Sequence, residues 1–220
     1  MIRWFKVVVF VACLAPLGRL LYGFFGAHPT DMSLWGVGLG ANPIEFITHS
    51  TGDWTLIFLL TTLAVTPLRK LIGQPWLIRY RRMLGLFAFF YGSLHLMTYV
   101  WLDKFFAFHE MLKDVAKRPF ITAGFTAFVL MLPLALTSTS WSIRKLGGKR
   151  WQVLHRLIYF SAIAGVIHYI WLVKADLRKP LQYALVLSVL MGYRIVVWLL
   201  PKSAPKRLPG RVGRVEASEG

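Results

Sequence analysis

Six apolar runs, each long enough to cross a lipid bilayer, constrain this chain more than any other feature of its sequence. They fall at about residues 7–25, 46–66, 81–101, 120–139, 152–173 and 181–200. A transmembrane helix needs roughly 20 such residues. Hydrophobic residues make up 56% of the 220 residues and charged residues only 16%, whereas a water-soluble domain of this size needs a more polar surface. The runs therefore predict an all-α, polytopic membrane protein built as a bundle of six transmembrane helices.

The runs predict one transmembrane domain over residues 1–200, and no internal repeat or soluble domain is evident. The first run follows two basic residues, as a secretory signal would, but it continues without a small-residue cleavage site and so predicts a retained helix. Residues 201–220 are rich in basic residues, proline and glycine, which predicts a disordered basic tail. The single cysteine, Cys13, excludes an intrachain disulfide framework and an iron–sulfur cluster held by thiolates.

The basic residues indicate how the chain crosses the membrane. A net charge of +17 would favour a nucleic-acid partner in a soluble protein, but here most Lys and Arg residues lie between the apolar runs, where they set topology. Sixteen of them fall on one side of the membrane and seven on the other. The positive-inside rule therefore predicts that both termini are cytoplasmic and that the third and fifth runs both lead outward. Because the basic residues are explained by topology, we expect no nucleic-acid partner.

Two histidines lie at similar depths in the third and fifth runs. At about 1.5 Å per residue, His95 lies roughly 12 Å and His168 roughly 9 Å from the outer ends of their runs. A histidine in hydrocarbon is costly and typically functional, and neutral imidazole is a good ligand for haem iron held within a helix bundle. The pair predicts one porphyrin iron between two axial imidazoles, which favours electron transfer. The alternative is that each histidine merely hydrogen-bonds a neighbouring helix.

A third histidine, His155, lies near the cytoplasmic end of the fifth run. It is about 20 Å from His168 along the helix, too far for one iron to bind both. The same level of the third run carries Arg81 and Arg82, whose guanidinium groups suit phosphate or carboxylate. These three residues predict an inner site for an anionic electron carrier such as a flavin phosphate, where His155 could also act as a ligand. Alternatively, the arginines serve only as topology signals.

Three further polar residues lie within the apolar runs. Arg19, a charge deep in the first run, predicts a partner such as a haem propionate, a quinone or a backbone carbonyl. His49 lies not far from the level of His95 and His168, where it could replace one of them as a ligand or hydrogen-bond a propionate. Arg194 lies near the inner end of the sixth run, and its long side chain could extend to water.

The sequence resembles the MsrQ (YedZ) family, bacterial inner-membrane members of the ferric-reductase-like transmembrane superfamily. The resemblance runs in order from about residue 40 to 175 and is carried by "HSTGDWTLIFLLTTLAVTPLRK", "WLIRYRRMLGLFAFFYGSLHLMTYVW", "LTSTSWSIRKLGGKRWQVLHRLIYF" and "IHYIWLVK". It implies a six-helix b-type cytochrome of the bacterial inner membrane, associated with haem b and FMN. The family's three functional histidines fall on His95, His155 and His168, and its paired arginines fall on Arg81 and Arg82.

The resemblance also implies a function. Electrons from the quinone pool or a cytosolic flavin reductase would pass to MsrP, a periplasmic molybdopterin enzyme that reduces methionine sulfoxide in oxidised proteins. Sulfoxide reduction would then lie in the partner, and the two long outer loops of this chain are expected to dock it. Two alternatives are a haem protein that reduces ferric or cupric ions, and a transporter with a histidine relay. A transporter favours acidic residues well inside its spans, which these runs lack.

Overall fold

The computed structural model of the chain describes residues 2–25, 42–173 and 175–200. Within those ranges every element of regular structure is helical, which confirms the predicted all-α class. Six helical segments there are long and apolar enough to cross a membrane, so the chain is a multi-pass membrane protein with the predicted number of spans. The predicted tail at 201–220 lies outside the described residues.

The described residues form nine α-helices, joined in two places by helical turns of other types. The helices are α1 (Ile2–Phe25), α2 (Pro43–Ile72), α3 (Ile78–Met97), α4 (Phe108–Lys117), α5 (Pro119–Leu136), α6 (Ser140–Leu146), α7 (Gly148–Leu154), α8 (Leu157–Leu172) and α9 (Arg178–Leu199). A 3-10 turn at Pro75–Leu77 precedes α3, and a π-helical turn at Thr98–Asp103 follows it. The six spans are α1, α2, α3 with its two turns, α5, α7 joined to α8, and α9.

The second span is longer than the predicted 46–66 because local capping groups set its ends. Asn42 caps the N-terminus of α2, where its side-chain oxygen accepts a hydrogen bond from the backbone N–H of Glu45 at 3.3 Å. Gly73 ends the helix in the left-handed conformation, with φ of 71°, which glycine adopts without steric cost. Hydropathy locates the lipid-embedded part of a span, so it misses such polar ends.

The helices of the fourth and fifth spans depart from the predicted runs at one end each. The fourth run, expected to reach residue 139, ends at Leu136, because Thr139 instead caps α6 by accepting a hydrogen bond from the backbone N–H of Ser142 at 3.1 Å. The fifth run is divided between α7 and α8. At the division the N–H of Arg156 bonds the carbonyl of Val153, three residues back, at 3.1 Å. This tighter turn interrupts the α-helix at His155.

Four helices form the central bundle. The most extensive packing joins α2 to α3 and α5 to α8, and smaller contacts of α3 with α5 and of α2 with α8 close the ring. The helices α3 and α8 therefore occupy opposite corners. Fully buried side chains on three of these helices include Leu59, Leu63, Ala88, Tyr91 and Ala162.

Polar side chains attach the two peripheral spans, α1 and α9, to this bundle. The hydroxyl of buried Tyr91 accepts a hydrogen bond from the N–H of Leu17 at 3.1 Å and donates to the carbonyl of Cys13 at 2.9 Å, joining α3 to α1. In α9, Arg194 donates to the carbonyl of Leu63 on α2 at 2.5 Å and lies over the ring of Tyr159, 5.3 Å from its centroid. Arg194, which could extend to water according to the sequence, thus bonds a carbonyl of a neighbouring helix.

Candidate metal centre

His95 of α3 and His168 of α8 meet inside the bundle. Their ring centroids are 6.0 Å apart and their ring planes are inclined by 73°. A metal bound by two imidazoles through bonds of about 2 Å sets the ring centroids about 6 Å apart. Because α3 and α8 occupy opposite corners, the two rings approach each other across the bundle interior. The spacing fits one metal ion bound by both histidines.

Hydrogen bonds orient both rings in the same way. The Nδ1 atom of His95 lies 2.9 Å from the carbonyl oxygen of Thr48, and Nδ1 of His168 lies 2.6 Å from that of Phe120. A carbonyl only accepts, so each Nδ1 carries the proton and each Nε2 keeps its lone pair. A ring N–H donated to a backbone carbonyl is the usual support of a metal-binding histidine. Both Nε2 atoms are thus prepared to bind a metal ion.

The two histidines belong to equivalent half-sites, which the sequence reading missed. The acceptor carbonyl precedes its histidine by 47 residues in the α2–α3 hairpin and by 48 residues in the α5–α8 hairpin. A glycine also stands three positions before each histidine, in the segments GSLH, ending at His95, and GVIH, ending at His168. The repeated G-x-x-H pattern was the available signal, although its spacing becomes meaningful only once the hairpins are seen to pack alike.

His155 is held differently from the paired histidines. Its Nε2 lies 3.2 Å from Oγ1 of Thr137, which itself donates its single proton to the carbonyl of Pro133 at 2.6 Å. The hydroxyl must therefore accept from His155, so Nε2 carries the proton and is not free to bind a metal. The ring of Trp151 stacks on that of His155 with centroids 3.8 Å apart, and its Nε1 donates to the carbonyl of Thr137 at 2.9 Å. Only Nδ1 of His155 remains for a ligand.

The structure places Arg81 and Arg82 in different surroundings. Arg81 lies within electrostatic range of His155. Arg82 instead lines a groove of about 460 Å³ between α1 and α3. The rest of that groove combines two further cations with apolar and aromatic side chains: Lys6, Phe10, Leu14, Arg79, Tyr80, Met83, Leu86, Phe87 and Phe90. The three residues predicted to form one cluster therefore lie in two places. Arg81 lies near His155, and Arg82 lies in the groove beside α1.

Neither of the other two predicted site residues forms part of the histidine pair. The exposed side chain of His49 has its Nε2 3.9 Å from a carboxylate oxygen of Glu45, on its own helix. Arg19 lines a smaller groove of about 220 Å³ between α1 and α2, together with Ser50 and Trp54. This places Arg19 beside the turn of α2 that supports His95, without placing it between the two rings.

Comparison with known proteins assigns the chain to a family. A family model described as "Ferric reductase like transmembrane component" matches residues 50–166. A relative from Herminiimonas arsenicoxydans is 55% identical over 192 residues, which cover 86% of this chain and 84% of the relative. Another, from Bordetella parapertussis, is 51% identical over 203 residues, covering 91% of this chain and 93% of the relative. Both relatives are named protein-methionine-sulfoxide reductase heme-binding subunit MsrQ.

The chain belongs to the MsrQ family. Membership confirms the family resemblance, and the ferric-reductase-like match agrees with the six spans. In this MsrQ-family chain, the matched residues 50–166 contain His95 and end two positions before His168. No solved structure matches the chain.

Proposed function

We propose that this MsrQ-family chain binds haem b between His95 and His168 and serves as the electron-transfer subunit of a methionine sulfoxide reductase. The observation that carries the proposal is the pair of imidazoles 6.0 Å apart, each with Nδ1 bonded to a backbone carbonyl and Nε2 available. The relatives, which are named heme-binding subunits of protein-methionine-sulfoxide reductase, support it.

The chain's own residues would hold and tune the haem. Haem b held by His95 and His168 would supply reversible one-electron transfer. The carbonyls of Thr48 and Phe120 keep both rings in the metal-binding tautomer and raise the basicity of Nε2. Hydrogen bonding to an iron ligand is one of the means by which a protein sets a haem potential.

Haem content tests this assignment directly. Full-length protein is purified from haem-replete cells as the wild type, His95→Ala and His168→Ala, and haem is measured by absorption and by pyridine haemochrome. We expect a reduced b-type spectrum from the wild type and its loss from either variant. His49→Ala is the matched control, because that exposed side chain lies beside Glu45 and not between the rings. Unchanged haem in both paired-histidine variants would refute the assignment.

We infer that an anionic electron carrier, for which FMN is the proposed identity, binds on the inner side. Two arrangements support an inner site: Arg81 with His155 and Trp151, and the basic groove lined by Arg82. A guanidinium beside an aromatic surface suits a flavin phosphate and its flat ring. Flavin retention in Arg81→Ala and Arg82→Ala separates the two places, since only the variant at the occupied place loses flavin. Full retention in both variants would remove the inner-site proposal.

The route of the electrons follows from the proposed orientation. The proposed host membrane is the bacterial inner membrane. Both termini are proposed to lie in the cytoplasm, because Lys and Arg residues concentrate on the side of the membrane that carries the termini. Electrons from the quinone pool or a cytosolic flavin reductase then enter near His155. They leave from the outer half, where His95 lies two residues before the end of α3. The proposed acceptor is an MsrP-like periplasmic molybdopterin reductase.

The outer connection between α3 and α5 is the proposed docking surface for that reductase. Phe108 and Leu112 of α4 expose 64% and 70% of their surfaces. The connection is held by Asp114, whose carboxylate accepts from Nζ of Lys104 at 2.6 Å and from the hydroxyl of Tyr99 at 3.0 Å. We expect Phe108→Ser with Leu112→Ser to abolish electron transfer to the reductase while haem content stays normal. Retained transfer would refute docking at this surface.

A further inference from the structure

Each paired histidine packs against a glycine of the neighbouring helix. Gly52 lies one turn after Thr48 on α2, and Gly124 lies one turn after Phe120 on α5. A Cβ atom at position 124 would lie 2.7 Å from Nδ1 of His168 and 3.0 Å from its Cε1. At position 52 it would lie 3.2 Å from both Nδ1 and Cε1 of His95. The contact at position 124 is closer than real Cβ atoms show, and the contact at position 52 is tighter than most of them, so the absence of a side chain leaves room for each ring.

Neither glycine is explained by its backbone. Both lie inside α-helices with ordinary dihedral angles, where glycine costs about 0.5–1 kcal/mol relative to alanine. The same arrangement occurs on α2 and on α5. In each helix the carbonyl that accepts from the histidine lies one turn before the glycine, and the imidazole ring contacts both the carbonyl and the glycine. By contrast, a Cβ at Gly85, in the same α2–α3 interface, would meet only Thr62, at an ordinary 3.6 Å. Close approach of the imidazole is therefore the feature that distinguishes Gly52 and Gly124.

We propose that Gly52 and Gly124 are positioning residues of the ligand pair. By lacking a side chain, each lets an imidazole lie against the neighbouring helix, so that its Nδ1 reaches the carbonyl one turn earlier and its Nε2 points away from that helix. This inference rests on the proposed function, because ring position matters to a cofactor only if the two histidines bind it. It assigns a role in tuning the cofactor to two residues that never touch the iron.

The proposal predicts graded effects of added methyl groups. Alanine at position 124 must displace the ring of His168, because 2.7 Å is shorter than any real Cβ contact. The bond from Nδ1 to Phe120 then lengthens, the imidazole donates less electron density, and the reduction potential of the bound haem rises. Alanine at position 52 requires a shift of only a few tenths of an ångström at His95. Its effect has the same sign and is smaller.

The test compares Gly124→Ala, Gly52→Ala and the control Gly85→Ala in full-length protein. Haem retention during dialysis, the midpoint potential and the g values of the low-spin ferric EPR spectrum are measured for each. We expect retention to weaken roughly ten- to hundred-fold in Gly124→Ala, the usual cost of losing an outer-shell contact to a metal ligand. A raised potential and altered g values should accompany it, with smaller shifts in Gly52→Ala and none in Gly85→Ala. A simple packing defect would lower stability without moving the potential or the g values.

Two outcomes separate this proposal from the one on which it rests. A wild-type protein that takes up no haem would overturn the proposed function and the positioning role together. A haem-loaded wild type whose potential and g values are matched by Gly52→Ala and Gly124→Ala would overturn the positioning role alone. If Gly124→Ala does not accumulate, Gly52→Ala decides, because its milder contact leaves the fold intact.

Discussion

The hydroxyl of Thr137 lies 3.2 Å from Nε2 of His155 and accepts a hydrogen bond from it, so the nitrogen that is proposed to bind metal in the paired histidines is already used here. His95 and His168 donate from Nδ1 instead. The three histidines thus fall into two chemically different kinds, although all three occur in similarly apolar sequence. The difference follows from the acceptor that each ring meets on a neighbouring helix.

The first prediction concerns the role of His155. Because Nε2 of His155 donates to Thr137, His155 does not take part in the proposed haem site of His95 and His168. His155→Ala should therefore keep that haem, whereas His168→Ala should lose it. Pyridine haemochrome on both purified variants checks the difference. Thr137→Val adds a second comparison, since it removes the acceptor and should leave the haem content of the outer pair unchanged. Equal loss in His155→Ala and His168→Ala would contradict the two-kinds interpretation.

The second prediction concerns the attachment of α1. Tyr91→Phe removes the hydroxyl that joins Leu17 to Cys13, leaving a backbone N–H beside Pro16 without that partner. Loss of such a buried group costs about 1–3 kcal/mol, so the variant should unfold at lower temperature in detergent. Tyr22→Phe is the control, because Tyr22 lies on α1 with its side chain exposed. Identical unfolding of the two variants would show that the Tyr91 hydroxyl contributes nothing.

The third prediction concerns Arg194, the half-buried arginine of α9. Arg194→Leu removes the hydrogen bonds to the carbonyls of Leu190 and Leu63 and the contact with Tyr159. We expect a loss of stability of about 1.5–3 kcal/mol, the range for hydrogen bonds to charged groups. Arg156→Leu, at an exposed position near the same membrane face, should change the unfolding temperature little. Chemical unfolding followed by tryptophan fluorescence measures both.

The fourth prediction is a pH dependence of the outer connection. The hydrogen bond from Lys104, supported by Tyr99 and the charge of Arg118, holds the pKa of Asp114 below its ordinary value of 3.8. A lowered pKa in the folded state means that the stabilisation is fully present above pH 3.8 and is lost as the pH falls below it. Protease resistance of the α4 segment should therefore be constant from neutral pH down to about 4 and then decline. Asp114→Asn should lower it at neutral pH and remove the acid-dependent step.

The sequence predicted the spans and the depth of the histidine pair for one physical reason. Bilayer thickness sets the length of an apolar run, and the helical rise converts residue number into depth, so both follow from local sequence. The rings of His95 and His168 indeed lie close together, at 6.0 Å. The ends of α2 were missed because Asn42 and Gly73 act through capping geometry, which hydropathy does not register.

The sequence did not predict the contacts between segments that are distant along the chain. Arg194 reaches a carbonyl 131 residues away, and nothing near Arg194 in the sequence names Leu63 as its partner. The proposed roles of Gly52 and Gly124 likewise depend on histidine rings that lie on other helices. The paired arginines were expected to act together because they are adjacent, yet neighbouring residues of a helix point about 100° apart. Arg81 and Arg82 consequently face different surroundings.

The fifth prediction tests orientation, on which the direction of electron flow depends. Glu110 of α4 and Lys145 of α6 are both exposed, and they lie in connections on opposite sides of the proposed membrane. In a Cys13→Ser background, a membrane-impermeant maleimide should label Glu110→Cys in cells whose outer membrane alone is permeabilised, and Lys145→Cys only after the inner membrane is opened. The background substitution removes the single native thiol, which is buried. Labelling in the reverse order would invert the protein, place the histidine pair in the cytoplasmic half and exclude a periplasmic electron acceptor.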